Sequence, residues 1–438
     1  MDRYPLSVNA YLGAEAIADP GYPPELGTLT RSHQGTAASP QAIPPAQDQA
    51  SQGGVSSSRI LGCVAPTEDL GKAICVTALL MTGFPGFLGS ALLPRLLARR
   101  EGVRAICLVQ PQHMQMAQSR VREIEAEYPH TRQRVELMEG DITAPGLGLD
   151  PAAHDVLEQV NEVWHLAAIY DLAVDQGVAH RVNVDGTAQI LAFCRSRLQF
   201  GRLQYVSTCY VSGNYQGEFT EDALNEGQTF LNHYESTKFE AEMLVRKAIA
   251  DGLPATIYRP GIVVGDSRTG QTQKYDGPYF LATFMQRQLP VAVVPAVGDV
   301  DHVRVSLVPR DFVIEAMDQL SVLDGSIGRT FALTDPNPPT VREVVDFFAA
   351  HLGKRVIWVP LPLGITRAVV GSVPGLESLL GLPAEALDYF ASPTTYSTVN
   401  TVSELAGTGL ECPPFESYAR RLLDFMVDHP EIDSSAMV

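Results

Sequence analysis

A glycine-punctuated turn constrains the fold of this chain more than any other feature. Gly83, Gly86 and Gly89 directly follow an apolar run that ends at Met81, and a helical pattern begins at Phe87. The first glycine permits a tight turn, the second lets the backbone approach a bound group, and the third lets the helix pack on the strand. The helix N-terminus offers free N–H groups and a positive dipole end to an anion. The pattern therefore predicts a strand–turn–helix unit that cradles the pyrophosphate of a dinucleotide.

Strand and helix patterns alternate from residue 74 onward. The predicted strands are 76–81, 103–109, 135–138, 162–166, 203–207 and 255–258, and the predicted helices are 87–100, 118–128, 179–197 and 234–250. Such alternation predicts an α/β fold, a doubly wound parallel (Rossmann) sheet covered on both faces. After Arg259 the alternation loosens into helices at 279–288 and 341–351, strands at 291–294 and 355–359, and a Pro- and Gly-interrupted apolar stretch from 360 to 382.

These patterns divide the chain into three parts. Residues 1–73 are rich in Pro, Gly, Ser, Ala and Gln without periodicity, which predicts a disordered tail or a start codon assigned too far upstream; a functional tail is the alternative. Residues 74–265 form the predicted Rossmann domain. Residues 266–435 form a smaller C-terminal substrate-binding lobe, with 305–340 returning to the Rossmann core.

Composition narrows the function classes. With 50 acidic and 32 basic residues the formal charge is −18, which argues against general binding to nucleic acid or to an anionic membrane. The six cysteines are scattered, without a C-x-x-C pair or a metal-site spacing, as expected of reduced thiols in the cytoplasm and of a protein without a metal site. The N-terminus lacks a signal-peptide pattern, and Pro and charged residues break the best apolar stretch, so we expect no integral membrane segment.

A tyrosine and a lysine one helical turn apart suggest proton chemistry. Tyr234 and Lys238 share one face of a predicted helix. An ammonium near a phenol stabilises the phenolate, so we expect the pKa of Tyr234 to be lowered. Ser207 and Thr208 lie where the fifth strand ends and supply a hydroxyl to orient a carbonyl oxygen. Together with the glycine turn, these residues predict hydride transfer to a carbonyl.

With these motifs the chain resembles the extended short-chain dehydrogenase/reductase superfamily, over most of residues 76–345. Further matches are Gly140-Asp141, the stretch from His165 to Ala168, and the stretch from Asn183 to Thr187. The resemblance implies the catalytic residues Thr208, Tyr234 and Lys238, with Ser207 in reserve, and a cofactor-lining or buried structural role for His165. It also implies a cofactor site made of Gly83, Phe84, Gly86, Phe87, Leu88, Gly89, Gln110, Arg120, Asp141, Ile142, Leu166, Ala167, Ala168, Tyr234, Lys238, Pro260, Gly261 and Val263.

The residue at the end of the second strand bears on the choice of cofactor. An acid there binds the ribose hydroxyls of NAD, and an arginine meets the 2′-phosphate of NADP. This chain has Gln110, and Arg120 or Arg122 on the next helix is the candidate phosphate ligand. A solvated helix face explains both arginines equally well. The sequence favours NADP, with NAD possible.

Motifs after residue 258 resemble the thioester reductase and fatty acyl-CoA reductase ("male sterility") branch. They are 259–270, 276–279, 308–313 and 333–336, whereas Phe84-Pro85 and Gln110 depart from that branch. The resemblance implies NAD(P)H-dependent reduction of an acyl thioester to an aldehyde or alcohol. An epimerase, dehydratase or hydroxysteroid-type dehydrogenase, or a non-catalytic cofactor-binding protein, remains an alternative.

Two sets of residues are candidates for contacts with such a substrate. The apolar set is a groove for the acyl chain or the ordinary core of the lobe: Tyr279, Phe280, Phe284, Met285 and 291–294. The basic set is a phosphate patch or scattered surface charge: Arg268, Lys274, Arg287, Arg304 and Arg310. The sequence does not indicate the oligomeric state.

Overall fold

The computed structural model describes residues 78–150, 154–170, 174–360, 392 and 394–432. The predicted tail 1–73, the first residues of the predicted Rossmann domain, most of the interrupted apolar stretch 360–382 and the end of the lobe at 435 lie outside the described residues.

The described residues contain thirteen strands and eleven α-helices. In chain order the strands are β1 (Ala78–Thr82), β2 (Arg104–Val109), β3 (Val135–Glu139), β4 (Val160–His165), β5 (Arg202–Val206), β6 (Gly217–Phe219), β7 (Ala255–Pro260), β8 (Ile262–Val264), β9 (Val291–Ala296), β10 (Leu307–Pro309), β11 (Thr330–Leu333), β12 (Arg355–Pro360) and β13 (Thr394–Tyr396). The helices are α1 (Phe87–Arg99), α2 (Met114–Glu127), α3 (His154–Leu157), α4 (Gln176–His180), α5 (Gly186–Arg195), α6 (His233–Ala250), α7 (Pro278–Gln286), α8 (Arg310–Leu320), α9 (Val341–His351), α10 (Val399–Leu405) and α11 (Phe415–Asp428).

Seven parallel strands form the main sheet, in the order β11-β7-β5-β4-β1-β2-β3. The chain starts in the middle at β1 and runs first to one side through β2 and β3, then to the other side through β4, β5 and β7. The strand order therefore reverses between β1 and β4, and such a switch point opens a crevice at the carboxyl ends of the strands. The predicted doubly wound parallel sheet is confirmed.

Helices cover both faces of this sheet, so every residue of the central strands β1, β4 and β5 is buried. Leu79 and Met81 of β1 belong to a core that includes Leu92 of α1 and Val313 of α8. On the opposite face, Leu80 belongs to a core that includes Ile190 of α5 and Val245 of α6. Side chains alternate across a strand, so β1 contributes to both cores.

The chain returns to the sheet after a long excursion. β11 pairs in parallel with β7, with Thr330 opposite Ile257 and Leu333 opposite Pro260. The preceding helix α8 packs on α1, where Arg95 and Glu315 form an ion pair of 3.0 Å. Residues 305–340 therefore contribute both a strand and a helix to the core of the sheet.

The remaining elements form a lobe with its own core. Two small parallel sheets, β8/β10 and β9/β12, pack with α7, α9 and α11. Phe284 of α7, Phe348 of α9 and Tyr418 of α11 are buried together. The strands predicted at 291–294 and 355–359 pair with each other as β9 and β12.

Two predicted helices differ in detail. The helix predicted from residue 118 begins at Met114, and the long helix predicted over 179–197 is α4 and α5 joined by a single π-helical segment, Arg181–Asp185. Among the described residues, no helix is both long enough and apolar enough to cross a bilayer.

Candidate active site

The glycine turn closes tightly on itself between β1 and α1. Gly83 adopts φ +81°, which favours glycine, and the Gly86 N–H donates to the Gly83 carbonyl at 3.0 Å. A Cβ added at Gly89 would lie 2.6 Å from that same carbonyl oxygen, so only glycine fits. The first turn of α1 contains no acidic residue and receives no side-chain cap, which leaves its N–H groups available to an anion. The loop therefore fits a pyrophosphate.

A cavity of about 970 Å³ lies over this turn and along the carboxyl ends of the sheet strands. Thr82, Val109, Val206 and Pro260 line it at the ends of β1, β2, β5 and β7. Such a volume is at the upper end of the range for small-molecule and cofactor sites. The cavity therefore occupies the crevice that the strand order predicts.

Most of the predicted site residues meet in this cavity. Its lining includes the predicted catalytic residues Thr208, Tyr234 and Lys238. The predicted cofactor ligands that line it are Gly83, Phe84, Gly86, Phe87, Leu88, Gly89, Gln110, Ile142, Leu166, Ala167, Ala168, Pro260, Gly261 and Val263.

Arg120 and Asp141 are the two predicted cofactor residues outside this lining. Arg120 lies on α2 and donates to Glu123 at 2.7 Å, because the two side chains are neighbours on the outer face of the helix. The carboxylate of Asp141 instead accepts the Thr143 N–H at 2.8 Å. Burial raises the pKa of Asp141, but hydrogen bonds from Thr143 and Gln110 outweigh burial and lower it below its usual value.

The three predicted catalytic residues come from two adjacent elements. Thr208 lies two residues after the end of β5, and its hydroxyl oxygen accepts the Tyr210 N–H at 3.2 Å. Tyr234 lies in the first turn of α6, which Asn232 caps by accepting the Glu235 N–H at 3.0 Å. Lys238 lies one turn further, where its Nζ donates to the Val206 carbonyl at 2.8 Å. All three side chains are buried, at 5%, 8% and 3% exposure.

Burial dominates the pKa values of the phenol and the ammonium. Burial raises the pKa of Tyr234, and a hydrogen bond with Thr208 only partly opposes the rise. This direction is opposite to the one expected from the sequence, because burial outweighs the effects that would lower the pKa of the phenol. Burial also lowers the pKa of Lys238 to about 7, against an opposing effect of Glu242. Tyr234 is therefore a phenol at neutral pH, which suits a proton donor.

Ser207, the reserve hydroxyl, has a different partner. Its Oγ donates to Oε2 of Glu242 at 2.7 Å, and Glu242 also pairs with Arg259 at 2.7 Å. This engagement leaves Thr208 as the hydroxyl of the strand end that bonds Tyr234.

His165 is a buried structural imidazole next to the cavity. Its Nδ1 lies 2.8 Å from Oγ1 of Thr82, and its Nε2 lies 3.0 Å from Oγ1 of Thr187. Burial, reinforced by Lys238, lowers its pKa to about 3, so the imidazole is neutral. Thr82 Oγ1 in turn accepts the Ala167 N–H at 3.1 Å, which fixes the loop after β4 against the glycine turn.

Asn183 fixes the same loop to the helix that carries Tyr234. Its Oδ1 accepts the Ile169 N–H at 2.9 Å, and its Nδ2 donates to Oγ1 of Thr237 at 3.0 Å. Asn183 lies in the π-helical segment, and its amide joins the loop after β4 to α6.

The structure separates the candidate substrate residues. Of the apolar set, Phe280 lines the cavity, whereas Tyr279, Phe284 and Met285 are buried in the core of the lobe. Of the basic set, Lys274 is the one described member that lines the cavity, and its Nζ lies 2.7 Å from Oδ2 of Asp276. The ordinary core of the lobe therefore accounts for most of the apolar set, and scattered charge accounts for most of the basic set.

Several lining residues were not identified from the sequence. Tyr170 packs edge-on against Tyr234, with ring centroids 5.1 Å apart, and Lys274 Nζ lies 4.8 Å from the Tyr170 ring. Gln112 and His113 follow Gln110 along the same wall. Their position just after β2 is the signal that could have identified them, because residues there face the ribose in a doubly wound fold.

Comparison with known proteins agrees with this geometry. The family model described as "Male sterility protein" matches residues 81–317, more than half of the chain. The terminal R domain from the myxalamid PKS-NRPS biosynthetic pathway has a similar structure, with a TM-score of 0.69 at 29% identity, covering 81% of this chain and 92% of that one.

Curated relatives are much longer than the matched region. Isonitrile lipopeptide synthase of Streptomyces coeruleorubidus is 25% identical to this chain. The match covers 80% of this chain and 24% of that protein. Fatty acyl-CoA reductase wat of Drosophila melanogaster is 26% identical over 54% of this chain, which spans 52% of that protein. The chain therefore belongs to the male sterility family of NAD(P)-binding reductases, the branch of the extended short-chain dehydrogenase/reductases that includes thioester reductases and fatty acyl-CoA reductases.

Proposed function

We propose that the protein is an NADPH-dependent reductase of acyl thioesters, with the acyl group delivered on a carrier protein. One observation carries the proposal: a single cavity joins the glycine turn, the group of Thr208, Tyr234 and Lys238, and an apolar end beyond them. Likeness to an R domain at 29% identity supports a carrier-bound thioester as the substrate.

The chain's own residues fit the cofactor. The glycine turn and the first N–H groups of α1 would hold the pyrophosphate, and Leu166 to Ala168 would line the nicotinamide side. When bound, the nicotinamide supplies a hydride to the carbonyl carbon. Lys238 would hydrogen-bond the ribose next to it.

Thr208 and Tyr234 would act on the carbonyl oxygen. Both hydroxyls donate hydrogen bonds to the oxygen as negative charge develops, and the phenol transfers its proton to it. The resulting hemithioacetal breaks its C–S bond and releases an aldehyde and the carrier thiol. In balance, one thioester, one hydride and one proton give one aldehyde and one thiol.

The far end of the cavity suits an acyl chain. Ile262, Pro278, Phe280, Val305 and Val344 line it with apolar side chains from the lobe. We also propose a cytoplasmic location, supported by four described cysteines that are all free.

The test is NADPH oxidation with a medium-chain acyl-CoA and with the same acyl group on a phosphopantetheinylated carrier, with the aldehyde identified by mass spectrometry. Tyr234→Phe is expected to lower kcat by about 100-fold or more, because it removes the proton donor. Tyr128→Phe is the matched control, since Tyr128 is 37% exposed and does not line the cavity. Absence of turnover with every thioester would refute the proposal.

A further inference from the structure

A row of three polar side chains lines the cavity directly after β2. The row consists of Gln110, Gln112 and His113. Gln112 Nε2 donates to Oε1 of Gln110 at 3.2 Å and lies 3.2 Å from Nε2 of His113. Gln110 in turn hydrogen-bonds Asp141, which contributes to the lowered pKa of that carboxyl.

No carboxylate faces the ribose from this row. Among the described lining residues the single Asp or Glu is Asp276, which pairs with Lys274 on a different wall at 2.7 Å. A carboxylate after the second strand would bind a free 2′-hydroxyl and repel a 2′-phosphate. Its replacement by amides and an imidazole leaves hydrogen-bond donors at that position.

The arginines expected to serve a 2′-phosphate have other partners. Arg120 donates to Glu123 at 2.7 Å, and Arg122 donates to Ser119 at 2.8 Å. Neither lines the cavity in the part of the chain that the structure describes. If the cavity discriminates between the two nucleotides at this end, the donors available for it are the amides and the imidazole of the row.

We propose that Gln112 and His113 recognise the 2′-phosphate of NADPH, and that Gln110 is a positioning residue that holds Gln112 against the Asp141 side of the pocket. This rests on the proposed use of the cavity as a nucleotide site. The Gln112 amide nitrogen and the His113 Nε2 lie 3.2 Å apart, so a phosphate oxygen that accepts one N–H from each would replace their mutual contact. The Asp141 carboxylate, which lies outside the cavity lining, is already hydrogen-bonded by Gln110 and Thr143.

The start of α2 supports the same assignment. His113 is the residue before the first turn of this 14-residue helix, which carries no side-chain cap and no acid in that turn. The positive dipole end of the helix favours an anion next to His113. The site thus has donors suited to a phosphate, without a guanidinium.

Equilibrium binding tests this without any turnover. Dissociation constants would be measured by calorimetry for NADPH and NADH, and for adenosine 2′,5′-bisphosphate and 5′-AMP. The wild type should bind NADPH at least 10-fold more tightly than NADH. His113→Ala should raise the dissociation constants for NADPH and the bisphosphate about 10-fold. The dissociation constants for NADH and 5′-AMP should change less than twofold. The double variant Gln112→Ala/His113→Ala should abolish the discrimination.

Control measurements distinguish a loss of 2′-phosphate recognition from general damage to the fold. His302→Ala removes an imidazole whose side chain is 84% exposed and outside the cavity lining, and should change no constant. Gln112 is exposed, so Gln112→Ala should not change the midpoint of thermal unfolding. It should still weaken the binding of NADPH more than the binding of NADH. Equal losses for NADPH and NADH, or tighter binding of NADH by the wild type, would overturn the inference.

The inference and the proposed function fail in different ways. Thioester reduction with NADH preferred would leave the thioester reductase activity standing, change its cofactor to NADH, and remove the inference. Selective loss of NADPH binding in His113→Ala, without thioester turnover by the wild type, would do the reverse.

Discussion

Lys238 is a buried ammonium whose position depends on one carbonyl and one ring. Its Nζ bonds the Val206 carbonyl and lies 4.7 Å from the centroid of the Tyr205 ring. Burial lowers its pKa to about 7, compared with about 10.4 for an exposed lysine. Between those values the unfolded chain holds a proton that the folded chain has released, so rising pH favours folding.

This linkage predicts the pH dependence of stability. Relative to Lys238→Met, the wild type should gain about 1.4 kcal/mol of unfolding free energy per pH unit above 7, or about 2 kcal/mol from pH 7.5 to 9. Urea unfolding across that range measures the difference. Lys247→Met is the control, because that side chain is on the same helix and 71% exposed. Parallel pH curves for Lys238→Met and the wild type would contradict the lowered pKa.

At the scale of elements, a buried ion network joins α6 to β7 and to the end of β5. Glu242 is fully buried and accepts from Arg259 at 2.7 Å, from Arg246 at 2.9 Å and from Ser207 Oγ at 2.7 Å. Burial raises the pKa of Glu242, but Arg259 and Arg246 outweigh burial and lower it. The network fixes α6, and with it Tyr234 and Lys238, against the strand end that carries Thr208.

Glu242→Gln should therefore be strongly destabilising. It leaves the Arg259 guanidinium, which is 2% exposed, without its counter-charge, and such a loss typically costs about 3–5 kcal/mol. Urea unfolding at pH 7 measures this cost. Glu240→Gln, on the same helix with a side chain 47% exposed, should cost less than about 0.5 kcal/mol. A loss below about 1 kcal/mol for Glu242→Gln would mean that backbone carbonyls alone satisfy Arg259.

Local patterns predicted the elements better than they predicted side-chain partners. The glycine turn at 83–89 needs only sequence-adjacent residues, so its strand and helix were evident from spacing. Arg120 was a candidate ligand of the 2′-phosphate, but its guanidinium pairs with Glu123, three residues further along the same helix. The sequence alone permits either partner. The pKa of Tyr234 depends on desolvation by residues distant along the chain, so the proximity of Lys238 in sequence gave the wrong direction.

At the scale of the whole molecule, the lobe depends on segments far apart in sequence. Its core joins α7, α9 and α11, and β9 pairs with β12 across more than fifty residues. Apolar spacing showed that Phe284 and Met285 belong to a helix, but not whether its apolar face meets a core or a cavity. For the same reason the pairing of β11 with β7 was predicted only as a return of 305–340 to the sheet.

The cavity crosses from the sheet into this lobe, and its far wall should set the length of the acyl chain. Phe280 projects from α7 and lines the cavity, while its neighbours Tyr279 and Leu281 are buried in the lobe. Phe280→Trp should therefore shorten the available space without altering the glycine turn. We expect kcat/KM to fall about 10-fold or more for a long-chain thioester and less than twofold for an acetyl thioester.

Binding of NADPH separates this effect from general damage. The dissociation constant for NADPH should not change in Phe280→Trp, because the nucleotide end of the cavity is formed by other elements. Leu289→Trp is the matched control, since Leu289 is 81% exposed on the same lobe and does not line the cavity. Equal losses for the long and short thioesters in Phe280→Trp would place the acyl chain elsewhere, and would then leave the apolar end of the cavity without a role in substrate selection.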